Sequence, residues 1–172
     1  MTLYDSTPYI KIGNGTSNFY INLCKSYLNN HEQVYVIGGG YKIHTALWVY
    51  VGLQKNFCVS DIQHICLSYV RMHSMCRFTV KKGKTKPTIF VDNFDNDVNI
   101  KPTHNISELT HKCHFKLKNT TNIDIVGVGY CCVKAFFVAS QLVQKGYFSY
   151  VYPVNILSND RFVIKINIYK PF

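Results

Sequence analysis

An internal repeat constrains this chain more than any other feature. Residues 36–54, VIGGGYKIHTALWVYVGLQ, align with residues 125–143, IVGVGYCCVKAFFVASQLV. Gly38 falls on Gly127, Gly40 on Gly129, Tyr41 on Tyr130, Ala46 on Ala135, Val49 on Val138 and Leu53 on Leu142. Each copy reads as a strand, a Gly-x-Gly-Tyr turn and an amphipathic helix. Each is preceded by a strand candidate (YIKIG, VNIKP) and a helix candidate (SNFYINLCKSYLNN, ISELTHKCHFKLKN), and followed by two extended, alternating segments.

The order β-α-β-α-β-β therefore occurs twice. It predicts an α/β chain of the two-layer α+β kind, with two tandem domains, each a four-stranded sheet carrying two helices on one face. The expected domains are 1–92 and 97–172, joined through 93–96 in the acidic, turn-rich run DNFDNDVN. In the second half YFSYVYPVNIL and FVIKINIYK flank SNDR and read as a hairpin. In the first half HICLSYVRM is the third strand, and the fourth is either CRFTVK or TIFVDN.

A core of this size needs apolar material, and 47% hydrophobic with 15% aromatic residues over 172 positions supplies it. Ile43, Ala46, Leu47, Val49, Tyr50 and Leu53 share one broad helical face, as do Cys132, Ala135, Phe136, Val138 and Leu142. Phe19, Tyr20, Trp48 and Phe137 also fall at helical spacing and read as core or inter-domain packing. The seven cysteines form no CxxC pair. They read as reduced thiols of an intracellular protein, nuclear or cytoplasmic. The N-terminus has no basic and apolar leader pattern, and no apolar run reaches membrane-spanning length, so no membrane partner is expected.

The glycine turns raise the question of a nucleotide-binding enzyme. A dinucleotide fingerprint needs a third glycine, and that position holds Ile43 in one copy and Cys132 in the other. No Gly-Lys-Ser/Thr follows either. Gly38, Gly40, Gly127 and Gly129 read instead as a tight turn whose helix N-terminus forms a general anion site. No carboxylate pair or Ser/Cys–His–Asp arrangement stands out. His111, Cys113 and His114, or His73 and Cys76, lack the paired spacing of a closed metal site. The chain thus reads as non-enzymatic, with no cofactor and no metal.

Charge points to the partner. Formal net charge is +10, which favours acidic polymers. The segment RMHSMCRFTVKKGKTKP carries Arg71, Arg77, Lys81, Lys82, Lys84 and Lys86, with no acid between Asp61 and Asp92. Set between the last two strands, it predicts a long basic hairpin arm that neutralises phosphates. Tyr41 and Tyr130 follow the glycine turns, where they either stack on bases or pack beneath the turn. Lys42 and His44 lie in the first turn of the following helix, beside the anion site. Lys101 precedes the first helix of the second half, whose Lys112, Lys116 and Lys118 read as its solvated face.

IKIGNGTSNFYINLCKSYL and VYVIGGGYKIHTALWVYVGLQKN, with a weaker copy at IDIVGVGYCCVKAFFVASQLVQKG, resemble the Alba superfamily. The resemblance covers most of both halves, as two tandem Alba-like repeats. It implies a compact α/β protein that binds DNA or RNA, usually as a dimer. Here that dimer would form by pairing of the two repeats within the chain, or by homo- or hetero-dimerisation with Alba-like chains. A eukaryotic branch of the family serves in ribonuclease P and RNase MRP. The family's lysine pair after the first strand is replaced here by Asn14 and Gly15, with Lys101 and Pro102 in the second half. Its Arg-Gly-Arg turn becomes Gly39-Gly40-Tyr41, with Lys42 next. These departures favour RNA over duplex DNA. The alternative reading is a non-catalytic scaffold subunit of a ribonucleoprotein of the ribonuclease P/MRP type.

Overall fold

The computed structural model describes residues 7–66, 74–84, 97–152, 155–156 and 161–172. The first half contains β1 (Tyr9–Lys11), α1 (Ser17–Asn30), β2 (Gln33–Gly39), α2 (Ile43–Gln54), β3 (Cys58–Val59), β4 (Gln63–Cys66) and β5 (Ser74–Lys81). The second contains β6 (Asp97–Asn99), α3 (Ile106–Asn119), β7 (Asn122–Val128), α4 (Cys131–Gln144), β8 (Phe148–Val151), β9 (Asn155–Ile156) and β10 (Phe162–Tyr169). The two-layer α+β architecture expected from the sequence is present in both halves.

Each sheet has five strand segments rather than four. The reason is a broken edge. In the first sheet β1 runs parallel to β2, β5 runs antiparallel to β2, and β3 and β4 share the far side of β5. Between them Ser60 keeps the edge bonded, its amide donating to the Thr79 carbonyl and its hydroxyl accepting from the Thr79 amide, both at 2.9 Å. The second sheet repeats the plan: β6 is parallel to β7, and β8 and β9 share the far side of β10. Of the two candidates for the fourth strand, CRFTVK lies in β5. TIFVDN and the 93–96 linker lie outside the described residues.

Alternation along β2 and β5 sends Val34, Val36, Cys76, Phe78 and Val80 to the helix side, where they are buried. Helix α1 begins at Thr16, whose side chain accepts from the Phe19 amide, and buries Tyr20, Cys24 and Leu28. Helix α3 begins likewise at Asn105, which accepts from the Ser107 and Glu108 amides. Helices α2 and α4 are buried on more faces than one sheet can cover, because they also pack on each other. The buried residues of both halves form one continuous core.

A polar cluster is set into that junction. His64 of β4 meets Ser149 of β8 at 2.8 Å through Nδ1, and Ser140 of α4 and Ser74 of β5 at 2.8 and 3.1 Å through Nε2. The Ser74 hydroxyl donates to the Phe136 carbonyl at 3.0 Å, so it can only accept from the imidazole. The network therefore assigns the ring proton to Nε2, with Ser149 donating to Nδ1. Burial holds His64 down at about 4. Among the described residues its charged form has no compensating carboxylate in this cluster.

Because the folded value lies below the unfolded one, acid favours the unfolded chain. This contribution to stability is complete above about pH 6.5 and is lost as pH falls toward 4, to the order of 3 kcal/mol. Thermal melts between pH 7.5 and 4 should show that loss. His64→Ala should flatten its slope while lowering stability at pH 7 by about 2–4 kcal/mol, since three hydroxyls lose a partner.

Candidate nucleic-acid interface

The glycine turns have separable roles. Gly40 and Gly129 adopt φ of +57° and +56°, which let the chain turn from strand into helix. Gly38 and Gly127 instead permit close approach. A Cβ on Gly38 would meet Ala46 Cβ at 2.6 Å, and one on Gly127 would meet the Cys131 carbonyl oxygen at 2.6 Å and Cys132 Cα at 2.9 Å. In the second turn the Gly129, Cys132 and Val133 amides donate to the carbonyls of Phe162, Gly129 and Tyr130. Those three donors are used within the fold. Gly127→Ala presses on backbone and should cost about 3 kcal/mol in urea denaturation. Gly129→Ala meets only conformational strain and should cost about 1 kcal/mol.

Around these turns the structure gathers Asn14, Tyr41, Lys42, His44, Lys101 and Tyr130. Lys42 Nζ donates to Asn14 Oδ1 at 2.5 Å, joining the loop after β1 to the turn after β2. That loop is held from below by the Tyr20 hydroxyl, which accepts from the Gly13 and Gly15 amides at 2.7 and 3.2 Å. Tyr20 reads as plain helix core in the sequence; its hydroxyl also orders the loop that carries Asn14. In the second half the link to the loop after β6 comes from Lys134, aligned with Thr45, its Nζ donating to the Pro102 carbonyl and, at 2.9 Å, to the His104 carbonyl. Lys101 is exposed in that loop, its amide donating to His104 Nδ1.

The two turns face the seam between the halves. Tyr130 is 80% exposed and stacks on His44 of the other half, with ring centroids 4.1 Å apart and planes at 9°. Tyr41 is 83% exposed and meets Phe137 edge-on at 6.0 Å. His44 also lies 5.1 Å from Phe162, against which Trp48 packs edge-on at 5.0 Å. Burial lowers the His44 pKa, which favours a neutral ring in the stack. His44, Trp48, Tyr130 and Phe162 line a groove of about 470 Å³ whose wall includes Lys134 and Arg161. Sequence alone does not assign Trp48, Phe162, Lys134 or Arg161 to this site. They come from different elements, and only the pairing of the halves brings them together.

Of the basic segment expected to form a hairpin arm, residues 74–84 are described, and most of them lie in β5. Arg77 sits inside β5, opposite Ile37, and Lys81 ends that strand opposite Gln33. Lys82 and Lys84 follow, exposed, around Gly83 at φ +109°. Gly39 pairs with Met75 at the other end of β5. The lysines are thus about 20 Å along the sheet from the glycine turn, since a strand rises about 3.3 Å per residue. The physical reason is register: a stretch alternating Cys76, Phe78 and Val80 into the core makes a central strand, and its charges are carried on the other face. Arg71 and Lys86 lie outside the described residues.

No protein-family model and no curated protein matches the chain. Among solved structures, the crystal structure of ALBA1 from Trypanosoma brucei is similar over 43% of this chain and 68% of that chain. Identity is 20% and the TM-score 0.35.

Proposed function

We propose that the chain binds nucleic acid without catalysing a reaction, and prefers RNA with unpaired bases to duplex DNA. The observation that carries this reading is the inter-repeat groove. There an exposed tyrosine is stacked on a histidine beside Lys134 and Arg161, in a chain of net charge +10. A π-face flanked by cations suits a base and its phosphate, and base stacking on aromatics contributes about 1–3 kcal/mol per base. In a duplex those faces are already occupied, which gives the preference for unpaired RNA.

Lys42 with Asn14, and exposed Lys101, extend the basic surface from the groove along the two turns. Lys81, Lys82 and Lys84 supply a separate phosphate contact at the far end of the first sheet. Pairing of the two repeats within one chain stands in for the dimer that the Alba resemblance implies.

A salt-titrated binding series with single-stranded RNA, structured RNA and duplex DNA tests this. Affinity for single-stranded RNA should fall steeply with salt. It should drop ten-fold or more in the H44A/Y130A double variant. Neutralising Lys134 and Arg161 should reduce the salt slope by about one unit for each phosphate that is no longer neutralised. Weak binding that ignores all of these changes would overturn the reading and favour a scaffold subunit that works through protein partners.

A further inference from the structure

The two sheets turn their helix-free faces to different chemistry at matching positions. In the first, Tyr9 of β1 pairs with Tyr35 of β2, and Arg77 of β5 pairs with Ile37, two residues beyond Tyr35. In the second, Asp97 of β6 pairs with Asp124 of β7, and Lys165 of β10 pairs with Val126, two residues beyond Asp124. The register is the same, so Tyr9–Tyr35–Arg77 and Asp97–Asp124–Lys165 are equivalent triads.

In the second half the triad closes on itself. Lys165 Nζ lies 3.0 Å from Asp124 and 3.5 Å from Asp97, and Asn167 donates to Asp124 at 2.7 Å. Lys165 is only 6% exposed. The first half has a cation over one ring of a tyrosine pair instead. The Tyr9 and Tyr35 rings lie 5.0 Å apart, the Arg77 guanidinium lies 5.6 Å from the Tyr35 centroid, and Tyr9 is 58% exposed. Arg77 Nε and Nη2 both donate to Gln63 Oε1, which fixes the plane of the guanidinium.

From this we infer that the helix-free face of the first sheet is a second binding surface, for single-stranded nucleic acid. Its bases would stack on Tyr9 and Tyr35, and its phosphates would meet Lys11, Arg77 and Lys81. Charge complementarity selects that occupant. The outward positions of β1, β2, β4 and β5 carry these three cations and no carboxylate. Position supports it as well. The face spans the distance between the Lys81–Lys84 end and the loop holding Asn14 and Lys42, so one strand crossing it joins two basic regions that the fold separates. Arg77 held beside a tyrosine ring offers both a stacking plane and phosphate donors. This extends the proposed function to a second surface and shares with it only the class of ligand.

The test combines crosslinking of the unmodified protein with variant binding. A 4-thiouridine-labelled oligouridine should crosslink to peptides containing Tyr9 or Tyr35. The Y9A/R77Q variant should bind that strand at least ten-fold more weakly. Tyr9→Phe, which keeps the ring, should stay within two-fold of wild type, and duplex DNA binding should change less than two-fold in either variant. Crosslinks confined to groove peptides, or a Y9A/R77Q variant that binds like wild type, would overturn the inference. H44A/Y130A reports on the groove alone. A loss there with the sheet-face variant unaffected sinks this proposal only, and the opposite pattern sinks the groove reading only.

Discussion

Everything on the candidate binding side depends on the burial of α2 and α4 against each other. Both helices carry more apolar surface than their own sheets cover, and the two halves close over one core. The His64 cluster specifies how they close. Apolar faces alone tolerate sliding, whereas an imidazole bonded to hydroxyls on β5, α4 and β8 fixes one register. That register places Tyr130 on His44 and Phe162 beneath Trp48. The groove is a consequence of the seam.

The two halves coincide at some positions and differ at others. Those that make the turn are the same in both halves: a close-approach glycine, a glycine at positive φ, then an exposed tyrosine. The strand-to-helix crossing has little steric latitude, which accounts for the agreement. Positions on the helix-free sheet faces are not held by the core and differ, aromatic and basic in one half and a closed ion cluster in the other. The Lys165 charge on that face of the second half is satisfied internally, since its pKa is raised by Asp124 and Asp97 despite its burial.

Much of this is readable along the chain. The helices predicted at 17–30 and 106–119 match α1 and α3 in both limits, because their polar-to-apolar rhythm and their Thr16 and Asn105 caps are local signals. The turns are equally plain, as Gly40 and Gly129 answer to a local backbone requirement. The basic segment is less legible, for a physical reason. Its lysines and arginines dominate the composition, but Cys76, Phe78 and Val80 alternate beneath them, and burial of those three decides the structure. The described part of that segment is largely strand, which puts Arg77 and Lys81 on a sheet face.

What the sequence determines alone is what rests on neighbours in the chain: the repeated β-α-β-α-β-β order, the capped helices, the glycine turns and the excess of positive charge. What only the tertiary structure decides is which of those charged and aromatic side chains meet. Lys42 finds Asn14, His44 finds Tyr130, and Arg77 finds Tyr35, while Lys81 is carried to the opposite end of the sheet. These juxtapositions follow from strand register and from the seam between halves. Both are set by burial of residues distant in sequence, which no local pattern encodes.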